Sequence, residues 1–172
     1  MTTPTQIDSI APVVANTDEW LQEIERLSQK TTPSFFHLTA PLPERGRTNQ
    51  VLGATPHLNV VLKTYASGGE NELHAHVNED HLFLILQGRA AFFGPNNEQR
   101  DVGKNDCVLL PRGSFYRFRA FEDEPLVMLR IGAVSDPDTD ILERIGVNRL
   151  PLDGFSKENK EVPVVLSGKW FE

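Results

Sequence analysis

The 172-residue sequence predicts an all-β fold: one antiparallel barrel or sandwich with an N-terminal helix and a C-terminal extension. Three observations predict it. Between about residues 51 and 133, short β-branched and apolar runs follow one another closely, and each gap between them is turn chemistry without a helical period. Length supplies the third: the chain can bury one substantial core and is too short for two full-sized domains. The expected division is 1–50 for an arm and helix, 51–134 for the barrel, and 135–172 for an extension packing on the barrel or on a second subunit.

Residues 1–15 mix Pro, Thr and Ser without periodicity and read as an arm. In "NTDEWLQEIERLSQK" Asn16 can cap a helix, Glu19 completes a capping box, and Trp20, Ile24 and Leu27 form a stripe that must cover something apolar. From "TTPSFF" to "PLPERGRTNQ", three prolines and a polar run read as a loop-rich connector. Strands follow at "LNVVLKTY", "HLFLILQ", "RAAFF", "DCVLLP", "FYRFRAF" and "PLVMLRIGA", separated by turns such as "GPNNEQ", "VGKN" and "PRGS". Beyond Ala133, "SDPDTDILERIG" reads as a turn or short helix, and the rest as loop apart from "VPVVLSGKWF". Trp170 and Phe171 there are expected to dock.

A formal net charge of −7, with no cluster of four or more Lys/Arg, argues against nucleic acid or an anionic membrane as partner and leaves a small molecule open. The single cysteine, Cys107, excludes an internal disulfide. The N-terminus lacks a signal-peptide pattern, and apolar runs are only strand-length, so the expected location is the cytoplasm. The doubly apolar strand "HLFLILQ", with Trp20, Trp170 and Phe171 outside the barrel, leads us to expect a homodimer, unless the chain's own helix covers that strand's back.

Three of the five histidines fall within eight residues, at 74, 76 and 81. On a strand, His74 and His76 project to the same face, a bidentate metal arrangement. A tight turn at "VNED" would bring His81 round to meet them. Alternation then sets His81, Phe83, Ile85 and Gln87 on one face, and Leu82, Leu84 and Leu86 on the other. Neutral imidazole is the commonest metal ligand, and His37 and His57 carry no such constellation. Glu70, Glu72, Glu79 and Asp80 read as solvated turn charges, with Glu72 or Asp80 available to orient a ligand imidazole.

The segment "GGENELHAHVNEDHLFLILQG" resembles the first motif of the cupin superfamily, G-x5-H-x-H-x3,4-E-x6-G. Gly68, His74, His76 and Gly88 match, and His81 stands where the family has its glutamate. The second motif, G-x5-P-x-G-x2-H-x3-N, is recognisable in "NDCVLLPRGSFYRFRA". Pro111 and Gly113 match, whereas Asn105, Tyr116 and Ala120 replace the glycine, histidine and asparagine. The resemblance covers about residues 55–133. It implies a cupin, jelly-roll-like barrel with one divalent transition metal ion per chain on its inner wall.

The departures make a three-histidine site, His74, His76 and His81, the expected one. Three imidazoles with open positions suit Fe, Zn, Ni or Cu and do not choose among them. Tyr116 is read as the catalytic proton donor or substrate contact, because a phenol coordinates well only when deprotonated. Candidates for holding substrate are Lys63, if it shares an inward face with Asn59, Val61 and Tyr65; Phe83, on the face of His81; and Arg130, which interrupts an apolar run. The favoured function is a metal-dependent enzyme, a dioxygenase acting on a small carboxylated or hydroxylated molecule. The alternatives are a non-catalytic small-ligand-binding cupin and a metal-dependent isomerase, lyase or decarboxylase.

Overall fold

The computed structural model describes residues 10–66 and 70–172; Gly68 and residues 1–9 of the expected arm lie outside them. Among the described residues the one α-helix, α1 (Thr17–Ser28), starts as its capping residues dictate. The Asn16 side chain accepts from the Glu19 amide at 2.9 Å, and the Glu19 carboxylate accepts from the Ala15 amide at 2.8 Å. Trp20, Ile24 and Leu27 are its buried stripe, set against Val51, Val61 and Leu142.

Twelve strands follow: β1 (Ala40–Arg45), β2 (Arg47–Thr55), β3 (Leu58–Tyr65), β4 (His74–His76), β5 (Glu79–Gln87), β6 (Arg89–Phe93), β7 (Gln99–Gly103), β8 (Cys107–Leu110), β9 (Arg117–Ala120), β10 (Leu126–Val134), β11 (Arg144–Gly146) and β12 (Val165–Phe171). One antiparallel sheet runs β2-β3-β10-β5-β8. Facing it is β7-β6-β9, continued into β4-β11 through a bridge in which His74 and Tyr116 exchange backbone hydrogen bonds at 3.1 and 2.9 Å. Tyr65, Phe83, Ile85 and Met128 of the first sheet pack on Ala90, Phe92 and Phe118 of the second. The result is the expected all-β, jelly-roll-like cupin architecture with an N-terminal helix.

Over 40–50 the expected connector is instead β1, the turn at Gly46 (φ +83°) and the start of β2. Pro41 and Pro43 misled the reading: β1 pairs only with β12, where a missing N–H breaks no central ladder, and its register slips at both prolines. The polar residues of β2 are buried because they are satisfied. Thr48 and Thr64 share a hydroxyl hydrogen bond of 2.6 Å, and Gln50 Nε2 donates to the Ala11 carbonyl at 2.6 Å. Two short strands were also missed: β7, in a region read as turns, and β11, where a turn or short helix was expected.

The β1–β12 ribbon covers the outer face of the larger sheet, with Ala40, Leu42 and Phe171 packed on Leu62 and Val127. Phe171 is thus docked, while Trp170 stays 48% exposed. The helix does not cover that outer face. It packs against Val61, whose neighbours at alternate positions on β3, Asn59 and Tyr65, also point inward. Among the described residues no helix is long and apolar enough to cross a membrane.

Candidate metal centre

Period-two alternation builds the site. On β5 the inward residues are Glu79, His81, Phe83 and Ile85; on β10 they are Leu126, Met128, Arg130 and Gly132. Arg130 lies opposite Phe83, and Gly132 lies between His81 on one neighbour and Asn59 on the other. Across the interior, β4 presents His74 and His76, and the bridge to His74 fixes Tyr116 beside them.

The three imidazoles lie near one another in succession along the site wall. Ring centres of His74 and His76 are 5.1 Å apart, and those of His76 and His81 are 4.1 Å apart. The Tyr116 ring lies 4.6 Å from His74, with its hydroxyl 3.5 Å from His81 Nδ1. All four side chains are buried. Among the described residues, His76, Glu79 and His81 form a group of potential metal ligands whose donor atoms all lie within 4.8 Å of one another. It includes Glu79 in place of His74.

Glu79 is therefore not a solvated turn charge. It is 1% exposed. Its Oε1 accepts from Asn59 Nδ2 at 2.6 Å, and Oε2 accepts from Arg130 and from His81 Nε2, the latter at 2.7 Å. Burial alone would raise this carboxyl, but Arg130, His81 and Asn59 outweigh it and hold it at about 2. Gly132 makes the room: a Cβ there would sit 1.7 Å from Glu79 Oε1. The signal was present in the sequence, since the alternation traced from His81 reaches Glu79 when carried two residues back.

Arg130, a substrate candidate from sequence, is taken up by this arrangement. Besides Glu79 it donates to Asn59 Oδ1 at 2.6 Å. Its Nη2 also lies 2.7 Å from His81 Nε2. One nitrogen cannot both donate to Glu79 and accept from Arg130, and the ionised carboxylate decides for donation. His81 then keeps its lone pair on Nδ1, facing Tyr116. In His74, Nδ1 donates to the Glu72 carbonyl at 2.7 Å, which leaves Nε2 with the lone pair. His76 Nδ1 is buried with no hydrogen-bond partner among the described residues.

Burial lowers all three imidazoles, with neighbouring positive charge adding to it, and His81 falls to about 4. They are neutral at neutral pH, the form that ligates. Burial also raises Tyr116, to about 12, so its phenol keeps its proton. Neutral imidazoles with oriented lone pairs, an orphaned ring nitrogen and a carboxylate behind one ring fit a divalent transition metal. Of the other acidic neighbours, Glu72 orients His74 through its carbonyl while its carboxylate pairs with Lys160, and Asp80 accepts from the Arg112 amide.

Lys63 lies on the inward side of β3, with Nζ 5.0 Å from the Trp20 ring centre and 5.7 Å from that of Tyr65. Phe83 is 2% exposed and packs among His81, Tyr116, Phe92 and Phe118, which makes it part of the site's apolar wall. Sequence reasoning missed Arg144, which β11 sets opposite His76. A separate cavity of about 500 Å³ lies between α1 and residues 36–39, with His37 in its lining and none of the clustered imidazoles.

Residues 61–132 match the Cupin_2 family, described as "Cupin domain". The uncharacterized protein YdbB of Bacillus subtilis (strain 168) is 32% identical over 53 residues, 31% of this chain and 47% of that protein, so the match spans about half its length. Among solved structures, the Schizosaccharomyces pombe Cnp3 cupin domain has a TM-score of 0.48 at 19% identity, over 52% of this chain and 65% of that one. KdgF from Halomonas sp. has a TM-score of 0.47 at 22% identity, over 53% of this chain and 82% of that one. Residues 61–132, between the helix and the C-terminal extension, are therefore a cupin domain.

Proposed function

We propose that the protein is a metal-dependent cupin enzyme acting on a small molecule, with one divalent transition metal ion held by His74, His76 and His81. One observation carries this reading: three buried, neutral imidazoles converge beside a protonated phenol. Glu79 is assigned the role of orienting His81, because Arg130 already neutralises its charge. When bound, the ion would act as a Lewis acid on a substrate oxygen or as a binding site for O2.

The chain's own residues do the rest. Tyr116 holds a proton beside the imidazoles, and Phe83, Phe92 and Phe118 exclude water on one side. Oxygenase chemistry goes with iron or copper; isomerase, lyase or decarboxylase chemistry goes with zinc or nickel. Element analysis of protein purified without added metal tests the reading. About one ion per chain is expected, falling to a small fraction in His76→Ala, and metal-free wild type would refute it.

The second reading, a non-catalytic cupin that binds a ligand, is favoured by the burial of all three imidazoles and Tyr116. Tyr116→Phe separates the two once a substrate is identified. We place the protein in the cytoplasm and assign it a homodimer.

A further inference from the structure

Four basic side chains converge on the inner side of the molecule near α1, and they are not equivalent. Arg130 is paired with Glu79, and Arg47 with Glu161 and the Gly154 carbonyl. Lys63 and Arg144 have no carboxylate within ion-pair distance among the described residues. The Lys63 ammonium lies over the aromatic faces of Trp20 and Tyr65. Arg144 Nε is buried without a hydrogen-bond partner among the described residues, and its guanidinium lies against Gly154, where an added Cβ would come within 2.7 Å. Both line one cavity of about 20 Å³, with Trp20, Asn49, Tyr65 and Asn71 among its walls. Two further buried polar atoms of this lining have no hydrogen-bond partner among the described residues, Trp20 Nε1 and Asn49 Oδ1, and turning the Asn49 amide over would present a donor.

We propose that Lys63 and Arg144 form a receptor for the carboxylate of a small-molecule ligand, set beside the imidazole cluster. A cavity of this volume has room for about two oxygen-sized atoms, which suits a carboxylate better than a four-oxygen phosphate. The planar fork of Arg144 matches a carboxylate's two oxygens, and Lys63 supplies a point charge. Leaving two cations together in a buried space is unfavourable unless an anion joins them. Burial, aided by the neighbouring arginines, pushes Lys63 well below its ordinary range and lowers Arg144 as well. The local charge is not an overflow of a basic surface, because the chain as a whole carries −7. Arg144 also acts electrostatically on His74 and His76, and Lys63 on His74 and His81, so a ligand held here would neighbour the proposed metal.

As a substrate anchor this inference rests on the enzyme reading, but carboxylate binding can be measured without the ion. Sodium acetate is titrated at fixed ionic strength into the full chain carrying Trp170→Phe, so that Trp20 reports alone, with acetamide and inorganic phosphate in parallel. Saturable acetate binding is expected, at least tenfold tighter than acetamide or phosphate. Arg144→Met and Lys63→Met should each weaken it at least tenfold, and Arg144→Lys by less, with metal content unchanged. Acetamide or phosphate binding as tightly as acetate, no saturable response in wild type, or unaltered affinity in both methionine variants would each overturn the proposal. Should a methionine variant fail to fold, the wild-type comparison of acetate with acetamide still decides. Element analysis of the same samples keeps the two ideas apart: acetate binding without metal sinks the enzyme reading alone, and metal without acetate binding sinks the receptor alone.

Discussion

Replacing Arg130 by methionine would remove the guanidinium from Glu79 and keep most of the side-chain volume. The carboxyl sits at about 2 instead of its ordinary 4.5, held down against its burial by Arg130 together with His81 and Asn59. Removing one partner of such a buried pair costs about 3–5 kcal/mol. For a chain of this length the midpoint of thermal unfolding should fall by roughly 10 °C. Glu79→Gln should cost a similar amount, because it strands Arg130. The double variant should lose no more than either single one, giving a coupling of about 3 kcal/mol. Urea denaturation of metal-free protein, followed by circular dichroism, measures all four corners of the cycle. A loss below about 1 kcal/mol for Arg130→Met, or a double variant equal to the sum of the singles, would refute the argument.

Lowered imidazoles are neutral in the folded state at a pH where the unfolded chain would protonate them, so metal-free protein should lose stability as pH falls below 6.5. Three such groups give a slope of up to about 4 kcal/mol per pH unit near pH 5.5, and Glu79 adds to the loss between 4.5 and about 2. A slope under about 1 kcal/mol per pH unit between pH 6 and 5 would contradict the burial argument. Tyr116→Phe should leave the metal in place and lower turnover on the order of 10²-fold; simultaneous loss of metal would make the phenol a ligand. With Val165, Leu166 and Trp170 exposed on β12, sedimentation at micromolar concentration should give twice the chain mass, and a monomer would remove the assembly proposal.

The parts of the site legible in the sequence are those whose partners are close along the chain. His74 and His76 declare themselves by i, i+2 spacing, and the same alternation turns Lys63 inward with Asn59, Val61 and Tyr65. Glu79 escaped because its charge and its place beside a turn look like solvent exposure. What reverses that is Arg130, contributed by a strand fifty residues on. Arg130 was conspicuous for interrupting an apolar run, yet its partner could not be read from its neighbours. Arg144 gave no signal at all: three residues of β11 make no period, and its strand partner β4 is far away in the chain. β1 was hidden by prolines that only an edge strand tolerates.

The β1–β12 ribbon also bears on how the protein is made. Ala40 pairs with Phe171, far along the chain, so the outer face around Leu62 and Val127 stays uncovered until β12 has been made. The two sheets can pack while β12 is still inside the ribosome, but the nascent chain then displays an apolar strip beside the unpaired backbone of β1. Such a strip invites association between neighbouring chains on one messenger. Deletion of β12 would make that temporary exposure permanent, and the shortened chain should accumulate in inclusion bodies with its imidazole cluster still encoded in full.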